Sequence, residues 1–191
     1  MDHQRYSRIA ISGDPGSGKT TFAREVARQT GFELITTGNI FRELANEKGV
    51  SITELNKMAE TQKEIDYKVD DYLVSLNDKA GNYVLDSRMA WHFVKDAFKI
   101  RLTVRPEVAV DRVFSDKDEM REKYNSLEEA KDEIKARRDS EIKRYLDLYN
   151  VDIGDAGNFD LLIDTSDKSL EDTMSEFWSG YNNSVAHASK A

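Results

Sequence analysis

The sequence predicts an α/β fold, with a mainly parallel five-stranded sheet and helices on both faces. Three observations predict it. Short apolar runs of strand length alternate with longer helical patterns. A glycine-rich turn separates the first run from the first helix. The 191 residues suit one domain with enough chain to bury a core.

The first strand is Arg8-Ile9-Ala10-Ile11. Residues 20–29 read as a helix, and Gly31 is a good stop for it. Glu33-Leu34-Ile35-Thr36 is the second strand, and the helix behind it carries Arg42 on its first turns. Ser51-Ile52-Thr53-Glu54 has the form of a capping box that opens another helix. Tyr83-Val84-Leu85 is the third strand, and Asp86 ends it. Residues 98–104 are the fourth, followed by Pro106, which suits the first turn of a helix. Ser126-Leu127-Glu128-Glu129 repeats the capping-box form at the head of a long charged helix. Phe159-Asp160-Leu161-Leu162-Ile163 is the fifth strand, with Asp160 and Asp164 read as sheet-end acids. Phe177 and Trp178 pack a final helix on the core. Residues 1–181 then form one domain, and the small, polar residues 182–191 read as a flexible tail.

Composition narrows the function classes. Acidic residues number 36 against 28 basic ones, for a formal charge of −8. That balance argues against general binding to nucleic acid or to an anionic membrane. There is no cysteine, hence no disulfide framework, thiolate metal site or cysteine nucleophile. Three histidines without ligand spacing do not make a metal site, and His92, between Trp91 and Phe93, reads as a packed or edge histidine. No apolar run approaches the ~20 residues of a membrane span, and the start MDHQRYSR lacks a signal-peptide core. A cytoplasmic monomer is expected.

The glycine-rich turn matches G-x-x-x-x-G-K-[ST] as Gly13-Asp14-Pro15-Gly16-Ser17-Gly18-Lys19-Thr20, with Thr21 next. Glycines let the backbone curl so that successive N–H groups meet one anion. The following helix adds its positive end. Lys19 would reach the β- and γ-phosphates of a nucleoside triphosphate, and the Thr20 hydroxyl would sit on Mg²⁺. Asp86 is the carboxylate at a neighbouring strand end, suited to orient Mg²⁺ or its water, or to accept a proton. The expected cofactors are ATP and Mg²⁺.

Phosphoryl transfer needs fixed cations around spread negative charge, and the planar fork of arginine suits phosphate. The chain offers Arg42, Arg88, Arg112, Arg137, Arg138 and Arg144. Arg137 and Arg144 lie seven apart and share a helix face, while Arg138 lies about 100° round. Each alone reads as a surface residue. Their order after the phosphate loop favours function.

That order resembles the nucleoside monophosphate kinases, and most closely the compact cytidylate kinases of archaea and some bacteria. The matching stretches are ISGDPGSGKTT, TTGNIFRELA, LDSRMAWHFV, RPEVAVDRVF, RRDSEIKRYLDLYNVDI and FDLLIDTS, across residues 9–166. The resemblance implies a P-loop NTPase fold, a monophosphate-binding insertion at 38–79 and a helical lid at 113–140. It implies that Arg42 and Arg88 grip the acceptor α-phosphate, beside Thr37 and Gly38. Arg138 and Arg144 would contact phosphates on closure, and Arg112 and Thr165 would border the donor. The implied reaction transfers the γ-phosphoryl of MgATP to CMP, and also to dCMP. Asp116, with Lys117 beside it, stands where many relatives carry a second basic residue. The insertion carries no short base-reading fingerprint. Gln62, Asp66 and Asp70 could contact a base or ribose, although solvated helix residues are the plainer expectation. Two other readings stay open: a kinase of another acceptor, such as AMP or a small metabolite, and a silent ATP-binding protein. A guanine-reading N-K-x-D is absent, since Asn56-Lys57-Met58-Ala59 ends in alanine.

Overall fold

The computed structural model describes residues 6–116 and 123–188. Among these, five strands form one sheet: β1 (Arg8–Gly13), β2 (Glu33–Thr36), β3 (Tyr83–Asp86), β4 (Ala97–Thr103) and β5 (Leu161–Asp164). The order is β2-β3-β1-β4-β5, and every pairing is parallel. Parallel neighbours need crossovers, and helices supply them. The crossovers contain α1 (Lys19–Thr30), α2 (Thr37–Lys48), α3 (Ile52–Ala59), α4 (Glu64–Ser75), α5 (Ala90–Phe93), α6 (Pro106–Phe114) and α7 (Leu127–Tyr149), and α8 (Leu170–Ala188) follows the last strand.

Strand periodicity distributes the core. Ile9 and Ile11 turn to one face, where Phe22 and Val26 of α1 and Phe177 and Tyr181 of α8 cover them. Ala10 turns to the other, against Leu73 of α4, Trp91 of α5 and Tyr145 of α7. Both faces are covered, so the strands read as near-continuous apolar runs. A smaller core of Leu44, Ile52, Leu55 and Ile65 joins α2, α3 and α4. Phosphate chemistry belongs where the strands end, and Gly13, Thr36 and Asp86 bring β1, β2 and β3 to one edge.

Several element ends differ from the sequence reading by one or two residues, as β1 runs on to Gly13 and β4 spans Ala97–Thr103, and two differences bear on packing. The fifth strand begins at Leu161, because Phe159 turns inward to pack 5.3 Å from the Trp91 ring. Residues 182–188, expected to be tail, continue α8, and Tyr6 and Ser184 hydrogen-bond at 2.9 Å. Residues 189–191 lie outside the described residues, as does Lys117.

Candidate active site

The loop after β1 is held by its glycines and from behind. Gly16 has φ 75° and Gly18 φ 78°, a region that side chains disfavour. A Cβ on Gly16 would also lie 2.7 Å from the backbone of Ala109, so α6 can approach only a glycine there. Arg112 donates to the Gly16 carbonyl at 3.3 Å, and the Thr165 hydroxyl donates to that of Ser17 at 3.0 Å. Gly18 caps α1 without a side-chain acceptor, which leaves first-turn N–H groups for an anion. Lys19 pairs with Asp86, whose side chain is fully buried. Asp86 Oδ2 and Ser17 Oγ are buried without a protein partner. An uncapped helix start, a lysine and a buried carboxylate oxygen in need of a donor fit a triphosphate with a hydrated Mg²⁺. Thr20 and Thr21 line the same space.

Facing this loop is a second cationic wall. α2 also begins without a side-chain cap, and Thr37, Gly38 and Arg42 stand at that end. The Thr37 hydroxyl donates to the Asp86 carbonyl at 3.4 Å, and Arg42 donates to Asn39 at 2.6 Å. Arg88 donates to the Gly13 carbonyl and, through Nε, to Glu141 of α7 at 2.8 Å. The loop, Asp86, Arg42 and Arg88 thus share one cleft of about 270 Å³. Glu141 also holds Arg137, 3.2 Å away. Burial pushes Glu141 up, but Arg88, Arg137 and Arg144 outweigh it and hold the carboxylate at about 2.

The remaining arginines divide by geometry. Arg112 lines the cleft and is fixed by the Thr165 carbonyl at 2.7 Å. Thr165 itself is buried behind the phosphate loop and does not line the cleft. Arg137 faces the cleft, while Arg138, one step round the helix, points behind the loop to Asp14 at 3.7 Å. Arg144 lines the cleft but is buried and committed within the protein. Its Nε pairs with Asp66 at 2.7 Å, and its Nη1 donates to Asn56 Oδ1 at 3.0 Å. His92 lies outside the cleft, among the rings of Trp91, Phe93 and Tyr149.

The sequence reading took some residues of the cleft as solvated and passed over others. Asp66 and Asp70 are not solvated: they are 2% and 6% exposed and line the cleft. Asn56 and Glu141 gave no local signal, because each matters through a partner at least 50 positions away. Arg101 did give one, as a charge inside an apolar strand. It is buried and pairs with Asp14 at 2.9 Å, bracing the loop beside Arg138. Asp116, the departure noted in the sequence, lines the cleft, and Lys123 donates to its carbonyl at 2.8 Å.

Comparison with known proteins follows the same line. The model of the cytidylate kinase-like family matches residues 8–167. A cytidylate kinase of Pyrobaculum islandicum is 41% identical over 166 residues, 87% of this chain and 88% of that protein. One of Methanothrix thermoacetophila is 38% identical over 167 residues, 87% of this chain and 93% of that protein. Among solved structures, a gluconokinase from Sinorhizobium meliloti shares 97% of both chains at TM-score 0.63 and 10% identity. A shikimate kinase from Acinetobacter baumannii shares 93% of both at TM-score 0.55 and 18% identity. Those two likenesses concern the fold alone. With the family model matched across most of its length and the phosphate loop set opposite Arg42 and Arg88, the chain belongs to the cytidylate kinase-like family.

Proposed function

We propose that the protein transfers the γ-phosphoryl group of ATP to CMP, and also to dCMP, forming the diphosphate and ADP. One observation carries this reading: an anion cradle and a pair of arginines face each other across a single cleft. An acceptor that already carries a phosphate explains Arg42 and Arg88, which a neutral alcohol would not need. The sequence relatives named cytidylate kinase support the pyrimidine.

The residues divide the work. The loop N–H groups and Lys19 hold the donor phosphates, and Arg112 steadies the loop from the donor side. Arg42 and Arg88 grip the acceptor phosphate and aim its oxygen. Thr20 and Asp86 are the residues that would hold and orient Mg²⁺, which would supply positive charge against the donor phosphates. Arg137 is the lid-helix cation placed to meet developing charge. The geometry favours it over Arg138, which is turned away towards Asp14. Little proton chemistry is required, so positioning and charge carry the rate. Among the described residues, no helix is long and apolar enough to cross a membrane.

The test is ADP release from MgATP with CMP, dCMP, UMP, AMP or GMP, and with no acceptor. Turnover with CMP and dCMP above the others is the expected result. Turnover with AMP alone would reassign the acceptor pocket, and binding of ATP without turnover would make this a silent relative.

A further inference from the structure

The acceptor side of the cleft runs to helix α4, where Asp66 and Asp70 stand one turn apart. Asp66 is neutralised by Arg144, itself locked by Asn56. Asp70 is different. Its Oδ2 accepts from the Tyr149 hydroxyl, and no other donor reaches the carboxylate among the described residues. A buried carboxylate with one neutral donor is costly unless a ligand completes its bonding. Phe41, Val69 and Tyr145 line the same cleft and supply apolar walls for a planar ring.

We propose that Asp70 reads the base of the acceptor, and that its charge selects a ring bearing an exocyclic amine over one bearing a carbonyl. This rests on the reading of the chain as a pyrimidine monophosphate kinase. Cytosine presents an N4 amino donor where uracil presents an O4 acceptor. An ionised carboxylate only accepts, so it bonds the amine and repels the carbonyl. Once protonated from solvent it gains an O–H donor, which can meet the carbonyl. Selectivity is therefore set by pH.

The surroundings place that change near neutrality. Burial pushes Asp70 up to about 7. The Tyr149 hydroxyl and Arg144, both on α7, favour the ionised form, while Asp66 and Asp71 on α4 oppose it. Arg42 of α2 lines the same cleft, and the His92 ring of α5 lies 5.9 Å from that of Tyr149.

The experiment measures kcat/KM for CMP and for UMP from about pH 5.5 to about pH 8.5, in the wild type and in Asp70→Asn. The acceptor phosphate titrates alike in both nucleotides, so their ratio cancels it. In the wild type the CMP/UMP ratio rises roughly tenfold or more with pH, the worth of one hydrogen bond to a charged group. In Asp70→Asn the ratio is flat. A carboxylate that merely pins α4 to α7 through Tyr149 would alter both substrates alike, and a flat wild-type ratio would overturn the proposal. So would an Asp70→Asn profile as steep as the wild type's. Should the variant not fold, the wild-type profile decides alone. No CMP turnover at any pH defeats the kinase reading, and this inference with it. CMP turnover with a flat ratio defeats only this inference.

Discussion

Lys19 and Glu141 show how single charges organise the cleft. Lys19 neutralises the buried Asp86, and in the proposed reaction donor phosphates would compete for it. Lys19→Ala therefore has two expected effects. It removes a cation from the transition state, lowering kcat by ~10²-fold or more. It also leaves Asp86 buried and unpaired, and this appears as a lowered urea midpoint. Full activity in the variant would remove Lys19 from the chemistry. Glu141 is an anion and would not itself hold a phosphate, yet it orients Arg88 from the β3 end and Arg137 from α7. Glu141→Gln is expected to lower kcat/KM for CMP by roughly 10²-fold through misplaced arginines, with ATP binding unchanged. Equal loss of ATP binding would instead mark a general structural role. The acid side follows from its depressed carboxyl. Glu141 stabilises the fold fully above its ordinary value of 4.5, and that contribution fades as pH falls towards about 2.

At the scale of elements, α7 is the member that joins the two halves of the site. Ser126 caps it, accepting from the Glu129 N–H at 3.1 Å, and Asn150 ends it at φ 54°. Between these ends it presents Arg137 and Glu141 to the phosphate side and Arg144 and Tyr149 to α3 and α4. Arg144 is thus a tie between helices. Arg144→Met leaves Asp66 as an uncompensated buried charge and is expected to cost about 3–5 kcal/mol in urea denaturation. A loss within ~1 kcal/mol would mean that Asp66 finds another partner or a proton. The same helix explains what sequence could and could not show. The phosphate loop was legible because its chemistry is local: glycines, lysine and threonine in one short run, between a strand and a helix. The parallel sheet was legible in its apolar runs. The α4 side of the cleft was not. Asp66 and Asp70 sit on a helix as polar as a surface one, and their partners Arg144 and Tyr149 lie on α7, far along the chain. Arg137 and Arg138 are neighbours in sequence, and a 100° step separates the cleft from the back of the loop.

For the whole molecule, the proposed acceptor pocket would set function against stability. Asp70 has its folded value raised to about 7, against an ordinary 3.8. In the unfolded chain it gives up its proton near 3.8, while the native state keeps the proton to about 7. Between those values the native state binds more protons, so stability falls as pH rises through the window. Above it, the fold carries the full penalty of an ionised, buried carboxylate. Asp70→Asn removes the titration and keeps an acceptor for Tyr149. The variant is therefore expected to be more stable than the wild type at pH ~8, by about 1–3 kcal/mol, with the gap closing towards pH ~4. In a domain of this size each kcal/mol moves the midpoint by about 2–4 °C, so thermal unfolding at several pH values resolves it. A variant less stable at pH ~8 would show that the carboxylate is well satisfied when charged. Among the described residues the Tyr149 hydroxyl is the one donor to this carboxylate, so a ligand that supplies a second donor would relieve the penalty. The stabilisation gained by Asp70→Asn should therefore shrink when CMP is present, because CMP repairs the wild type and not the variant.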